Sequence, residues 1–225
     1  MKKYVPILNN TQLFSGIAEE EIAAMLGCLG TRVRKYKKGE YVFRQGDPIG
    51  DITVLASGCL HIQRDDYWGS RSIINVVMPG EMFGEAFAAR NGGTILNDVA
   101  AVEDAEVLFF DVNRVLTTCS SACRFHAMVV QNLFYAISEK NRKLVQKLGH
   151  MAKRTTRDKL LSYLSEEAKR QQKSEFSIPF NRQQLADYLS VDRSAMSGEL
   201  SKLKDEGLLD YRKNEFILYH GAQEV

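Results

Sequence analysis

Polar side chains at the start of one candidate helix could hydrogen-bond to the edges of DNA bases. A helical projection of residues 193–205 has one face that begins polar and one face that is apolar. The outward residues are Arg193, Ser194, Ser197 and Gly198, and the inward residues are Ala195, Met196, Leu200 and Leu203. Arginine and serine can both bond to base edges in the major groove. The pattern predicts a helix that packs by one face and presents the other to nucleic acid.

A preceding helix and a tight turn are predicted to position this one. Asn181 is a favourable N-cap, and Gln184 follows three residues later, as in a capping box. Ser190-Val191-Asp192 reads as the turn, and Gly207 is a suitable C-terminal stop. Two short helices with polar residues at the start of the second are the layout of a DNA-reading helix-turn-helix. Two strands with a turn at Lys213-Asn214 follow, which predicts a wing.

The charge of the chain does not by itself indicate a nucleic-acid binder. The net charge is +2 over 225 residues, and residues 151–225 contain thirteen basic and twelve acidic side chains. A strong nonspecific binder would be far more basic. DNA binding must therefore depend on the local arrangement of a few cations. The candidates are Arg182, Arg193, Lys202, Lys204, Arg212 and Lys213.

Short runs of β-forming residues occupy the first half of the chain. From residue 31 to about residue 110, these runs are separated by glycines every 7 to 11 residues. Such punctuation predicts an antiparallel sandwich or roll. Residues 65–69 read as a hairpin tip.

From about Asn113 the pattern becomes helical. Apolar residues then recur at steps of three and four, interrupted once by a lysine: Val130, Leu133, Ile137, Lys140, Leu144, Leu148 and Met151. This spacing fits a long helix paired with a partner helix, and the alternative is that it packs only on its own roll. The domains expected are 1–112, a sensing β-roll; 113–153, a dimerisation helix; and 154–225, a winged helix-turn-helix.

Composition argues against a membrane protein. The chain contains no run of 18 apolar residues, and its first residues lack the long apolar stretch of a signal peptide. The four cysteines are widely spread and form no CxxC pair. These observations predict a cytoplasmic location, reduced thiols and no membrane partner.

Four segments in this order make the chain similar to the CRP/FNR family of bacterial transcription regulators. They are residues 38–46 (KGEYVFRQG), 55–58 (LASG), 79–85 (PGEMFGE) and the helix-turn-helix. The resemblance implies an α+β fold: an N-terminal antiparallel β-roll (a double-stranded β-helix like that of cyclic-nucleotide-binding domains), a long dimerisation helix and a C-terminal winged helix-turn-helix. It also implies a homodimer that binds double-stranded DNA at a palindromic site, an effector that gates binding, and RNA polymerase as a partner.

The resemblance also assigns roles to DNA-facing residues. Asn181, Arg182 and Gln183 match positions that contact the DNA backbone, where the helix dipole favours phosphate. The base-reading positions are Arg193, Ser194, Ser197 and Gly198, and Lys202 is a further candidate contact. Many members carry an arginine where this chain has Gly198 and a glutamate where it has Ser194. Both differences remove a strong base reader, so we expect an unfamiliar half-site with Arg193 bonding to guanine.

The effector pocket departs from the cyclic-nucleotide pattern. Gly84 and Glu85 match the pair that binds the ribose, but Ile95 and Leu96 stand where an arginine and a serine or threonine bind the phosphate. A buried phosphate without a cation is costly, and Arg90 is the candidate substitute. Cyclic AMP is therefore disfavoured, and the effector stays unidentified.

Other sensing chemistries remain open. Only Cys28 lies in the first fifty residues, so an N-terminal iron–sulfur cluster is not expected. Haem would need an axial ligand, for which His61 and His126 are the candidates. Cys119 and Cys123 could sense thiol chemistry, or simply fill the start of a helix.

Two other functional classes are considered. A cupin-like enzyme would need clustered metal-binding histidines, and the four histidines are scattered, so neither catalysis nor a metal site is expected. The alternative is a nucleotide-gated signalling module without a DNA role. That module would need the phosphate-binding arginine that is missing here.

Overall fold

The computed structural model describes residues 1–65, 71–88, 93–117 and 124–219. The chain divides into two units, Met1–Glu139 and Lys140–Val225, and the division falls within the longest helix. Residues 66–69 of the expected hairpin tip lie outside the described ranges, although the strands that flank them pair antiparallel.

The first unit contains two antiparallel four-stranded sheets. One has the strand order β1-β8-β3-β6, and the other has the order β2-β7-β4-β5. The strands are β1 (Arg32–Tyr36), β2 (Tyr41–Phe43), β3 (Asp51–Ser57), β4 (Leu60–Asp65), β5 (Arg71–Val77), β6 (Met82–Phe83), β7 (Asp98–Ala101) and β8 (Ala105–Asp111). The glycine punctuation predicted this roll correctly, but two-residue β6 was missed because it is too short to show a period.

Both faces of the first sheet are buried. Because side chains alternate along a strand, Ile52, Val54, Leu108 and Phe110 pack against helices, while Leu55, Val107 and Phe109 face the second sheet. The helices of this unit are α1 (Val5–Asn9), α2 (Glu19–Cys28), α3 (Glu85–Ala88), α4 (Val112–Leu116) and the first half of α5 (Arg124–Met151). The unit is thus built from two sheets and a helical layer.

The burial of side chains along the long helix α5 differs in part from the predicted apolar stripe. Leu133 is buried in the core of its own unit, so it does not belong to an exposed stripe. The apolar side chains that stand exposed on α5 are Phe134, Tyr135, Leu144, Val145 and Leu148. With Ile137 and Asn141, a stripe 134-137-141-144-148 keeps steps of three and four. The exposed stripe therefore contains Phe134 and Asn141 at positions where the predicted seam had Leu133 and Lys140.

The second unit has a single core built from helices and one small sheet. Its elements are the end of α5, α6 (Thr156–Gln171), β9 (Glu175–Ser177), α7 (Arg182–Leu189), α8 (Arg193–Asp205), β10 (Leu209–Arg212) and β11 (Glu215–Leu218). The strand order is β10-β11-β9, so β9 completes the sheet of the wing. Leu160, Leu164, Leu185, Leu200 and Phe216 are fully buried together. Across the ranges that the structure covers, no helix is long and apolar enough to cross a membrane.

Candidate nucleic-acid interface

Helix α7 begins with the expected capping box. The Asn181 side-chain oxygen accepts a hydrogen bond from the Gln184 backbone N at 2.9 Å, and the Gln184 side-chain oxygen accepts one from the Asn181 backbone N at 2.8 Å. These bonds satisfy two donors that a helix start would otherwise leave unpaired. The backbone of residues 181–183 is thereby fixed at a positive helix end, where an anion is favoured.

The turn between α7 and α8 depends on Ser190 and Asp192. Ser190 adopts the left-handed conformation, with φ of 51°, and ends α7. Two residues later, the Asp192 carboxylate accepts a hydrogen bond from the Ala195 backbone N at 2.8 Å and caps α8. The predicted turn and both caps are confirmed.

Helix α8 exposes most of the expected base-reading positions. Arg193, Ser194 and Gly198 are exposed and Ser197 is half-buried, while Met196, Leu200 and Leu203 are fully buried. Ala195 was predicted to face inward, and that prediction was wrong: its side chain is exposed. The buried residues recur at steps of four and three from Met196, and Ala195 lies about 100° away from that stripe.

A positively charged groove lies at the start of α7. It has a volume of about 700 Å³, and its walls include Asn181, Arg182, Gln183, Arg193 and Lys213. None of the side chains that line it is acidic. The structure thus brings the expected backbone contacts of α7 together with Arg193 and with one cation of the wing.

Some other cations of this unit form ion pairs with neighbouring carboxylates. Arg157 forms an ion pair with Glu206, and the Lys204 amine forms one with Asp210. Lys202, an expected DNA contact, is 2.7 Å from the Glu199 carboxylate. Residues 151–225 therefore have a net charge near zero, although the groove itself carries an excess of positive charge.

Arg182 is held by aromatic side chains of the wing. Its guanidinium carbon lies 4.5 Å from the centre of the Tyr211 ring and 5.1 Å from that of Phe216. Burial lowers the pKa of Arg182 from its ordinary value, and Tyr211 opposes this change slightly. Sequence reasoning assigned this residue to DNA backbone contact and missed its second role, which is to join α7 to the wing.

The expected effector site has the buried Ile95 at the position where the resemblance implies an arginine. Gly84 has φ of 77°, and a Cβ built there would lie 2.7 Å from Ile49 Cδ1 and 3.8 Å from Ile95 Cδ1. Ile95 is buried in the core with Ile49, and Leu96 is 56% exposed. The Gly93–Ile95 segment is fixed by backbone hydrogen bonds to residues 46–49.

These residues do not fit a cyclic nucleotide. Glu85 is buried at the first position of α3, as the resemblance implies, but Ile95 supplies no charge for the phosphate. Arg90, the candidate substitute, lies outside the described residues. Within the part of the chain that the structure covers, the residue at the expected phosphate-binding position is a buried isoleucine.

The two candidate haem ligands occupy different environments. His126 is buried, and its Nε2 lies 2.8 Å from the Arg114 carbonyl oxygen and 3.1 Å from the Val115 carbonyl oxygen. Because carbonyl oxygens only accept, Nε2 carries the proton and donates. Ligation of iron through this nitrogen would break both contacts. His61 is half-buried in β4 and pairs with Ala100 and Val76.

The structure does not describe the two cysteines that were candidates for thiol sensing. Cys119 and Cys123 are not among the described residues. Cys28 is exposed, and Cys59 is half-buried. No group of three or more metal-binding side chains lies close together in the ranges that the structure describes.

Sequence reasoning missed one buried polar residue of the second unit. His150 is 3% exposed, although it lies near the end of α5. Its Nδ1 is 2.9 Å from the Ser162 hydroxyl oxygen, and its Nε2 is 3.3 Å from the Glu166 carboxylate. Nothing in the sequence signalled this burial, because a lone histidine has no periodicity.

Comparisons with known proteins match both units. A family model described as a cyclic nucleotide-binding domain matches residues 33–122, and one described as a Crp-like helix-turn-helix domain matches residues 158–220. The chain is 33% identical over 101 residues to a cyclic AMP receptor protein of Thermus thermophilus, a stretch that covers 45% of each chain. It is 22% identical over 189 residues to the transcriptional activator protein anr of Pseudomonas aeruginosa, covering 82% of this chain and 75% of that protein.

A solved structure extends the match to nearly the whole chain. The catabolite activator protein of Thermus thermophilus is 25% identical, with a TM-score of 0.53, and the match covers 93% of this chain and 94% of that one. The match therefore spans both units of this chain.

Proposed function

The chain belongs to the CRP/FNR family of transcription regulators, and from that premise we propose that it is an effector-gated, sequence-specific DNA-binding regulator that acts as a homodimer on a palindromic site. The relatives that match across most of this chain are named as regulators, so we infer that this chain is a regulator and not an enzyme. RNA polymerase as a partner, a cytoplasmic location and the domain boundaries 1–112, 113–153 and 154–225 belong to the same proposal.

The groove at the start of α7 carries the DNA-binding part of this proposal. It places Arg182, Arg193 and Lys213 beside the capped helix start at Asn181, and no carboxylate lines it. Cations and backbone N–H groups of a helix start are the groups that bind DNA phosphates. Arg193, the first residue of α8, would enter the major groove and donate to a guanine.

The exposed stripe of α5 supports the homodimer. Phe134 is 68% exposed and Leu148 is 64% exposed, and the stripe between them keeps the spacing of a coiled-coil seam. A soluble protein rarely leaves a long helix face apolar unless another surface covers it. A second copy of α5 supplies a matching stripe, and two-fold symmetry then predicts half-sites about one turn of DNA apart.

We propose an effector other than cyclic AMP. Ile49 and Ile95 place aliphatic carbons close to Gly84, and the polar atom beside them is the Thr53 hydroxyl oxygen, which carries no positive charge to neutralise a phosphate. The Thermus relative is named a cyclic AMP receptor protein, but this chain has Ile95-Leu96 where the phosphate-binding pair would stand. Isothermal titration with cyclic AMP tests this directly, and we expect no saturable binding at millimolar concentration.

The DNA proposal is tested by selection from a random duplex library with the full chain. We expect an enriched palindrome, which should then be measured by fluorescence anisotropy. Arg193→Ala should weaken binding to this site by tenfold or more and relax preference at one position of each half-site, since one bidentate contact is worth about 1–3 kcal/mol.

The matched control is Lys173→Ala, which removes a cation of the same unit that does not line the groove. It should leave affinity within twofold of wild type. Absence of DNA binding under every ligand condition would contradict the proposal and favour a nucleotide-gated signalling module without a DNA role.

A further inference from the structure

A second groove lies between the end of α5 and helix α6, away from the groove at the start of α7. Both helix segments belong to the unit Lys140–Val225. The groove has a volume of about 650 Å³, within the range of about 300–1,000 Å³ that small-molecule sites occupy. Arg142 and Gln146 line it from α5, and Ser165, Lys169 and Arg170 line it from α6.

Positive charge predominates in this groove. Arg142, Lys169 and Arg170 line it, whereas Glu166 is its one acidic wall residue. Arg170 is paired with Glu167, whose hydrogen bond is the main reason that the pKa of Arg170 is raised. The charge of Arg142 opposes that increase, so the two guanidinium groups repel each other across the groove.

The wall beneath these cations is fixed by His150. The buried ring faces the Ser162 hydroxyl with Nδ1 and the Glu166 carboxylate with Nε2. When neutral, it donates from Nε2 to Glu166 and accepts from Ser162 at Nδ1. Tyr163 packs edge-on against the ring, at 5.7 Å between centres. Glu166, the acidic residue of the wall, thus lies against the buried His150 ring. Ser165 and Gln146 also line the groove.

We propose that this groove binds a small molecule that carries at least two phosphate groups. The cations come from both helices, so one phosphate can meet Arg142 while another meets Lys169 and Arg170. Arginine binds phosphate through two parallel hydrogen bonds, and lysine binds it as a point charge. A bound polyphosphate or nucleotide would also relieve the repulsion between Arg142 and Arg170.

Such a ligand would join the end of α5 to the first helix of the winged domain. If the proposed function holds, this contact would favour one arrangement of α6 against the end of α5, because a ligand shifts an equilibrium toward the state that it binds better. The binding itself is independent of any role in DNA recognition. It can therefore be measured without DNA.

Isothermal titration of the full chain with tripolyphosphate, ATP and GTP tests the proposal. We expect saturable binding with one site per chain. Arg142→Gln and Lys169→Gln should each weaken it about tenfold, and Lys143→Gln and Lys173→Gln, which change cations that do not line the groove, should leave it within twofold. Tighter binding of one nucleotide than of tripolyphosphate would identify a nucleotide ligand, and equal binding would identify the phosphate chain as the recognised part.

Three results would overturn the proposal. The first is the absence of saturable heat with all three probes. The second is binding that survives both groove variants but is lost in Arg193→Gln, since the phosphates would then occupy the DNA-facing groove. The third is the absence of probe binding together with a loss of DNA affinity in Lys169→Gln, which would make the groove a DNA backbone contact. Failure to bind DNA would contradict only the proposed function.

Discussion

The guanidinium of Arg182, at the first position of α7, lies over the ring of Tyr211 in the wing, with 4.5 Å between the guanidinium carbon and the ring centre. A cation over an aromatic face is stabilising by about 0.5–2 kcal/mol, depending on burial. One side chain thus connects the start of the helix-turn-helix with the strand that follows it.

Replacement of Arg182 should affect stability and DNA binding together. We expect Arg182→Leu to lower the free energy of unfolding by about 1 kcal/mol and to weaken DNA binding about tenfold, because it removes both the ring contact and a groove cation. Urea unfolding and fluorescence anisotropy measure the two effects. Tyr211→Phe keeps the ring and should resemble wild type in both, so a large loss in that variant would contradict the stacking role.

The salt dependence of DNA binding should reflect the groove cations and not the net charge. Arg182 and Lys213 from each of two protomers would neutralise about four phosphates, which predicts a slope of about −3.6 for the logarithm of affinity against the logarithm of salt concentration. Lys213→Gln should reduce the slope by about 2 in a dimer. A slope that is unchanged in this variant would show that the wing cation does not contact DNA.

Gly84 should tolerate a side chain less well than a glycine that has the same backbone conformation but open space. Gly84 and Gly39 have φ of 77° and 88°, but only at Gly84 does a Cβ meet another atom, Ile49 Cδ1 at 2.7 Å. Gly39→Ala should cost about 1–2 kcal/mol from backbone strain, and Gly84→Ala should cost about 1–3 kcal/mol more from overpacking. Thermal unfolding measures both, and equal losses would exclude a close approach at Gly84.

Glu106 should stabilise the folded first unit except in strongly acidic solution. Its carboxylate is 2.9 Å from the Lys35 amine, 2.8 Å from the Tyr4 hydroxyl and 3.1 Å from the Lys3 amine. Hydrogen bonds from Lys35, Tyr4 and Lys3 lower the pKa of Glu106 from 4.5 to about 2. Since the folded pKa is depressed, the stabilisation is present above the unfolded pKa and is lost as pH falls from about 4.5 to about 2.

The variant Glu106→Gln tests this dependence. We expect it to lower the free energy of unfolding by about 1 kcal/mol at pH 7, since partly exposed ion pairs and hydrogen bonds each contribute that much or less. Its difference from wild type should shrink as pH decreases below 4.5. Glu103→Gln, an exposed carboxylate three residues earlier, should show no such trend. A difference that stays constant down to pH 2 would contradict the assignment.

The exposed stripe of α5 should control the oligomeric state. Leu144→Glu and Leu148→Glu place charges in the proposed seam, and each should convert a dimer to a monomer in analytical ultracentrifugation. Asn141→Leu should strengthen the dimer, because a polar residue in a seam specifies register at a cost in stability. Lys143→Glu changes charge outside the stripe and should remain dimeric. A monomeric wild type at micromolar concentration would exclude the homodimer.

The architecture was readable from the sequence because its signals are local and repeated. Glycines between β-forming runs predicted the strands of the roll, and Asn181, Gln184 and Asp192 fixed the limits of α7 and α8 through side chains that bond to nearby backbone. Each of these signals acts between residues that are close together in the sequence. They therefore survive without knowledge of the packed structure.

The details that depend on packing were not readable. Whether Leu133 or Phe134 faces the core depends on how α5 meets its sheet, and residue spacing fits either choice. The burial of His150 depends on partners 12 and 16 residues away in α6, and the stacking of Arg182 depends on a strand that follows it by about 30 residues. Such pairings between separate elements leave no period in the sequence.

Ser190 has a consequence for how recognition could be tuned. Ser190, where α7 ends, has φ of 51° although it carries a Cβ. This backbone torsion contributes to the direction in which α8 leaves α7. A glycine at this position would adopt the positive φ without strain, which would stabilise the folded turn. It would also allow other backbone torsions, so the angle between α7 and α8 would be less well defined. A serine restricts the backbone of the turn. The direction in which Arg193 points therefore depends on the backbone conformation of Ser190 as well as on the Arg193 side chain.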